Sequence, residues 1–129
     1  MPESLDRTPT DQLCALPRHL SSATAARVVL RGFLSDLKDG EHYAADGELI
    51  VTELVASAVL APRTPEHLLI NVLFEHSAAT GLFIEVTDTG LSGLCRPDSP
   101  GLGIVRKLST DWGQDLMTRR LWAYLAPPG

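Results

Sequence analysis

The stretch that decides the fold is Leu49-Ile50-Val51-Thr52-Glu53-Leu54-Val55-Ala56-Ser57-Ala58-Val59. Its apolar residues recur three and four apart, so Leu49, Ile50, Leu54, Val55, Ala58 and Val59 predict the buried stripe of a helix from about Ala44 to Leu60. Asp46 suits its first turn, and Pro62 and Pro65 enclose the turn that follows. Glu53 and Ser57 are spaced i, i+4, so both side chains leave one face a turn apart. A carboxylate among apolar neighbours must reach water, a partner or a site.

Upstream, Ser21 or Ser22 offers an N-cap, and Ala26, Val29, Leu30, Phe33 and Leu34 keep helical spacing. Asp39-Gly40 predicts the end of this earlier helix. Gln12 to Leu16, closed by Pro17, predicts an edge strand, and residues 1–10 read as a flexible lead before a single domain over residues 11–129.

Downstream the period falls to two. His67–His76 and Gly81–Thr89 predict a hairpin in which Leu82, Ile84 and Val86 face a helical layer. Residues 90–103 are punctuated by glycine and proline and predict a mobile loop. A third helix opens at Gly101-Leu102-Gly103, and Gln114–Leu125 closes the chain as a second hairpin. In its last strand Leu121, Ala123 and Leu125 alternate with Trp122 and Tyr124, which read as sheet core or a dimer face, with core preferred. The expected fold class is α+β: a two-layer α/β sandwich, with a mixed, mainly antiparallel sheet and helices on one face.

Composition narrows the function classes. The chain has 129 residues, 44% hydrophobic and 21% charged, with a net charge of −5. This is ordinary globular composition, and a chain this long buries roughly two-thirds of its unfolded surface without disulfide or metal. An acidic balance, with basic pairs only at Arg106-Lys107 and Arg119-Arg120, argues against nucleic acid as primary partner. Cys14 and Cys95 lie in no C-x-x-C spacing, which argues against zinc. No signal-peptide pattern and no long apolar run is present, so the expectation is a cytoplasmic protein with no membrane association.

Three segments carry candidate chemistry. Glu53 with Ser57 is the first, against the plain reading of a glutamate on a solvent stripe. Asp88-Thr89-Gly90 is the second: an aspartate leaving a strand accepts from an exocyclic amine, and glycine lets a flat ring approach the backbone. Its plain reading is a strand-ending turn. The third is Gly101-Leu102-Gly103, where backbone N–H groups at a helix start would face a phosphate, against the plain reading of a flexible loop.

Taken in order, LIVTELVASAV (49–59), IEVTDTG (84–90), GLGIVRKLSTDWG (101–113) and RRLWAYLAP (119–127), with TAARVVLRGFL (24–34) upstream, resemble the GHKL ATPase superfamily. The resemblance covers about residues 17–125 and is closest to the anti-sigma-factor serine kinases and their actinobacterial relatives. It implies the Bergerat form of the sandwich and ATP or ADP with Mg²⁺ as cofactor. Glu53 would be the general base. Ser57 would stand at the metal and phosphate position, where the family has asparagine. Asp88 would meet the adenine amine and Gly90 would give the base room. Gly101 and Gly103 would flank the phosphates, and Arg119 or Arg120 stands near a late lysine of the family.

The resemblance further implies a protein partner, such as a sigma factor or an anti-anti-sigma factor, and homodimerisation. Serine is shorter than asparagine, and Mg²⁺ demands close octahedral oxygen ligands. The Leu91–Pro100 lid has ten residues and one base, Arg96. Both departures weigh on phosphoryl transfer, which depends on positioning and charge neutralisation, and so on serine/threonine kinase activity. Three readings stay open at this point: an ATP-binding regulatory protein that binds or phosphorylates a partner, a degenerate module that only binds a partner, and an α/β domain without nucleotide.

Overall fold

The computed structural model describes residues 10–61, 69–88 and 100–129. The elements in chain order are β1 (Thr10–Pro17), α1 (Ser22–Ser35), α2 (Glu41–Leu60), β2 (Leu69–Ser77), β3 (Gly81–Thr87), α3 (Pro100–Leu108), β4 (Asp111–Asp115) and β5 (Arg120–Leu125). The five strands form one sheet in the order β1-β2-β3-β5-β4. The class is α+β, compatible with a two-layer sandwich. All four ladders are antiparallel rather than mixed. The route from β3 through α3 and β4 returns β5 against β3 in the opposite sense.

The core lies between the helices and one face of the sheet. Ile70, Val72 and Phe74 of β2, Leu82, Ile84 and Val86 of β3, and Leu121, Ala123 and Leu125 of β5 are buried there. Period-two alternation places each set on one side of its strand. Helix α1 supplies Ala26, Leu30, Phe33 and Leu34, and α3 supplies Leu102 and Val105. Trp122 and Tyr124 do not join this core. They are half-buried on the opposite face, because the odd-numbered residues of β5 take the helix side.

Helix α2 is the central element. Its buried residues are Tyr43, Gly47, Ile50, Val51, Leu54, Val55, Ala58 and Val59. The expected stripe holds except at Leu49, which is half exposed, with Val51 taking the inward position. The helix begins at Glu41, three residues earlier than expected, so Glu41 rather than Asp46 occupies the first turn.

Helix α1 ends at Ser35, before Asp39-Gly40. Leu37 N–H donates to the Leu34 carbonyl at 3.0 Å and Gly40 N–H to the Leu37 carbonyl at 3.2 Å, which turns the chain into α2. Gly40 serves this corner: a Cβ there would overlap the Leu34 carbonyl. The expected serine cap is also absent. Ser21 makes no side-chain cap and its hydroxyl meets His19 Nδ1 at 2.8 Å. Ser22 instead donates to the Pro17 carbonyl at 2.6 Å, tying α1 to β1.

Thr10 already belongs to β1, paired with His76, while the rest of the expected lead lies outside the described residues. So do the Pro62–Pro65 turn and residues 89–99, which include most of the expected loop. No helix among the described residues is long and apolar enough to cross a membrane.

Candidate functional site

The ends of the sheet differ, and Glu53, Ser57, Gly101 and Asp88 lie toward one of them. Helix α2 starts near the β2–β3 turn, where the Tyr43 ring meets His76 edge-on at 5.6 Å. A Cβ at Gly47 would stand 3.5 Å from Leu82 at the start of β3. Glu53 and Ser57 follow on successive turns, about 9 and 15 Å further along the helix axis. Helix α3 is anchored at its C-terminal end to the same starting end of β3. Thr110 N–H donates to the Tyr124 carbonyl at 2.9 Å, and Tyr124 pairs with Phe83. One helix length back, about 13 Å, Gly101 lies toward the end where β3 stops and Asp88 follows.

Glu53 and Gly101 touch. A Cβ on Gly101 would overlap the Glu53 Oε2 oxygen. Glycine lets the α2 carboxylate lean on the first turn of α3, where a side chain would push it aside. That turn carries backbone N–H groups with no intrahelical acceptor, and the helix dipole favours negative charge there. Ser57 is half-buried on the same face of α2, one turn on. Its carbonyl accepts from Ala61 N–H at 3.0 Å, closing the helix.

The two glycines of α3 separate. Gly101 faces Glu53, whereas Gly103, two residues round the helix, has nothing within 4 Å of a Cβ built on it. It lines an open depression with Ile104, Arg106 and Lys107. Only Gly101 is brought to Glu53.

Asp88 is buried, with 1% of its side chain exposed, and Arg18 meets it with 3% exposed. Arg18 Nε donates to Asp88 Oδ2 at 3.0 Å and Arg18 Nη2 donates to Oδ1. This is the fork-to-carboxylate geometry that makes such pairs strong and directional. Asp88 N–H donates to the Arg119 carbonyl at 3.0 Å, so the backbone that carries the carboxylate is fixed as well. Arg119 thus reaches the site through its main chain. Its side chain is exposed, and its φ of 57° puts a non-glycine residue in the left-handed region at the β4–β5 turn.

Gly90 lies outside the described residues. Arg18, by contrast, is not among the candidate residues legible in the sequence. Its partner is 70 positions away, and an arginine after a strand-closing proline carries no signal of that pairing.

In chemical terms the end of the sheet has two halves. In one half the Glu53 carboxylate lies against the α3 N-terminus, and the Ser57 hydroxyl follows one turn along α2. These groups fit a Mg²⁺-phosphate moiety in kind: hard oxygen donors for the metal, N–H donors for the phosphate. The other half, Asp88, is an acceptor already engaged by a guanidinium. Among the described residues no group of three or more histidine, cysteine or acidic side chains could hold a metal by itself. No protein-family model matches the chain, and no curated protein matches it.

Proposed function

We propose that this chain is an ATP-binding regulatory protein of the GHKL type, acting in the cytoplasm by binding or phosphorylating a protein partner in transcriptional control. The observation that supports this most directly is the contact of Glu53 with Gly101. An acid on the central helix meets a glycine that opens the next helix, at the end of the sheet where Asp88 leaves its strand. Nucleotide phosphates need such a helix start, and a phosphoryl acceptor needs a positioned base. Glu53 would take the proton of an attacking hydroxyl. Ser57 would hold Mg²⁺ directly or through a water. ADP or ATP with Mg²⁺ would supply the charge that organises both halves of the site.

A second reading is favoured by one specific observation, the Arg18–Asp88 pair. To accept an adenine amine, Asp88 must exchange a charged bidentate donor for a neutral one. Arg18 would then lose its carboxylate, and stripping one member of a buried pair costs about 3–5 kcal/mol. On this reading the chain is a degenerate module that keeps the layout, binds nucleotide weakly or not at all, and serves as a protein-interaction partner. The experiment that separates the two is calorimetric titration with ATP and ADP, with and without Mg²⁺, beside an Asp88→Asn variant. Micromolar, Mg²⁺-dependent heat that Asp88→Asn abolishes supports the nucleotide-binding reading. A flat titration of the wild-type protein supports the second.

A further inference from the structure

The sheet has a second face, turned away from the helices. Reading the register across it, one row runs Asp11, Glu75, Phe83, Tyr124, Asp111. The next runs Leu13, Leu73, Glu85, Trp122, Gly113. The three aromatic rings form one cluster, with Phe83 4.7 Å from Tyr124 and Trp122 6.0 Å from Tyr124. The indole also lies over Gly113, where a Cβ would come within 2.6 Å of Trp122 Cζ2. Glycine here removes the side chain that would otherwise lift the ring from the sheet. Leu13, on the edge strand, is 66% exposed. The three rings are half-buried among the described residues, and aromatic area that stays in contact with water marks an interaction surface.

The charges of this face are mainly negative. Its described strand positions carry Asp11, Glu75, Glu85, Asp111 and Asp115 against Arg120 alone. Glu85 is taken up by Arg120, Nη1 to Oε2 at 3.0 Å, and Asp115 accepts from Met117 and Thr118 N–H in its own turn. Asp11 and Glu75 on one flank and Asp111 on the other then bracket the aromatic centre.

We propose that this open face docks a basic amphipathic helix of a protein partner, its apolar stripe on Leu13, Phe83, Trp122 and Tyr124 and its Lys or Arg side chains on Asp11 and Asp111. Strands lie about 4.8 Å apart, so the β1 and β4 flanks are about 19 Å from each other. A helix laid across the strands covers that distance in about 13 residues, with its apolar stripe over Leu13 and the aromatic rings and its basic residues at the two flanks. A second copy of the chain fits less well, because a two-fold contact through this face would bring like carboxylates together. The net charge of −5 draws a basic partner from a distance as well. The proposal goes beyond the nucleotide reading and does not require it.

The test uses the full chain without nucleotide and a fluorescein-labelled, Leu/Lys amphipathic peptide of about 18 residues, long enough to form a helix. A Leu/Glu peptide of the same pattern is the control. Anisotropy should show saturable binding of the Leu/Lys peptide only. Asp11→Lys combined with Asp111→Lys should weaken it about tenfold, and raising salt from about 0.05 to 0.5 M should weaken it further. Leu13→Ser, at an exposed position, should weaken it severalfold. Melting curves check that each variant folds. Binding that is unchanged in both variants, equal for the Leu/Glu peptide, or absent overturns the proposal. So does a wild-type dimer in sedimentation that Leu13→Ser dissociates, since a second copy would then cover the face.

Discussion

The two halves of the candidate site are built on opposite terms. At the α2–α3 contact, Glu53 and Ser57 are half-buried, and the Glu53 carboxylate reaches the first turn of α3. At the end of β3, Asp88 is enclosed and spoken for by Arg18. A half-solvated carboxylate can change partners at small cost, because water replaces what is lost. A buried one cannot, because each lost partner leaves an uncompensated charge in a low-dielectric interior. The Glu53 carboxylate can thus take a new partner at small cost, while Asp88 must first give up an internal one.

That contrast orders the expected effects of mutation. The largest is Asp88→Ala, which takes the carboxylate from a buried Arg18 and should cost about 3–5 kcal/mol of stability in chemical denaturation. A loss below about 1 kcal/mol would mean that Arg18 finds water readily, and the contrast would fade. Gly101→Ala comes next. Its Cβ would meet Glu53 Oε2, the free end of a half-buried side chain that can swing aside, so the cost should stay at the low end of overpacking, about 1 kcal/mol. Pairing it with Glu53→Ala should recover most of that loss, which a double-mutant cycle would read as coupling.

Ser57→Asn acts on the ligand rather than on the fold. A carbonyl oxygen reaching further from the α2 face should tighten Mg²⁺-dependent ATP binding about tenfold, with the affinity for ATP in chelator unchanged. The smallest expected effect lies at the far end of the sheet and serves as a reference. The Tyr43 hydroxyl is buried with no hydrogen-bond partner, and burial, then the nearby Asp39 charge, raises its pKa above the usual value of 10.0. Tyr43→Phe removes an unsatisfied polar atom at nearly constant shape, so it should stabilise by about 1 kcal/mol and leave ligand binding alone.

Much of the architecture is legible in the sequence because it rests on local periodicity. The helical stripe of α2, the alternation in β3 and β5 and the pairing of hairpins need only neighbours along the chain. What escapes is set by distant contacts. Leu49 fits the helical period as well as Val51 does, and only the direction of the packing layer decides which turns inward. Trp122 and Tyr124 are large enough to suggest core, yet strand parity sends them to the open face. Asp39-Gly40 has the look of a helix stop, but Leu34 requires glycine there for the corner into α2. In the site, Glu53 and Gly101 are legible as separate signals, whereas their contact is not. Arg18 is invisible because nothing near position 18 announces a partner at position 88.

If this end of the sheet receives ATP, Arg18 competes for the carboxylate that the base would use. The most direct measurement is calorimetric titration of wild-type protein and Arg18→Ala with MgATP under identical conditions, each checked for folding by its melting curve. Both should bind, and Arg18→Ala about tenfold more tightly, since Asp88 then takes the base without displacing a cation. An absence of binding heat from both folded proteins would contradict the nucleotide-binding reading.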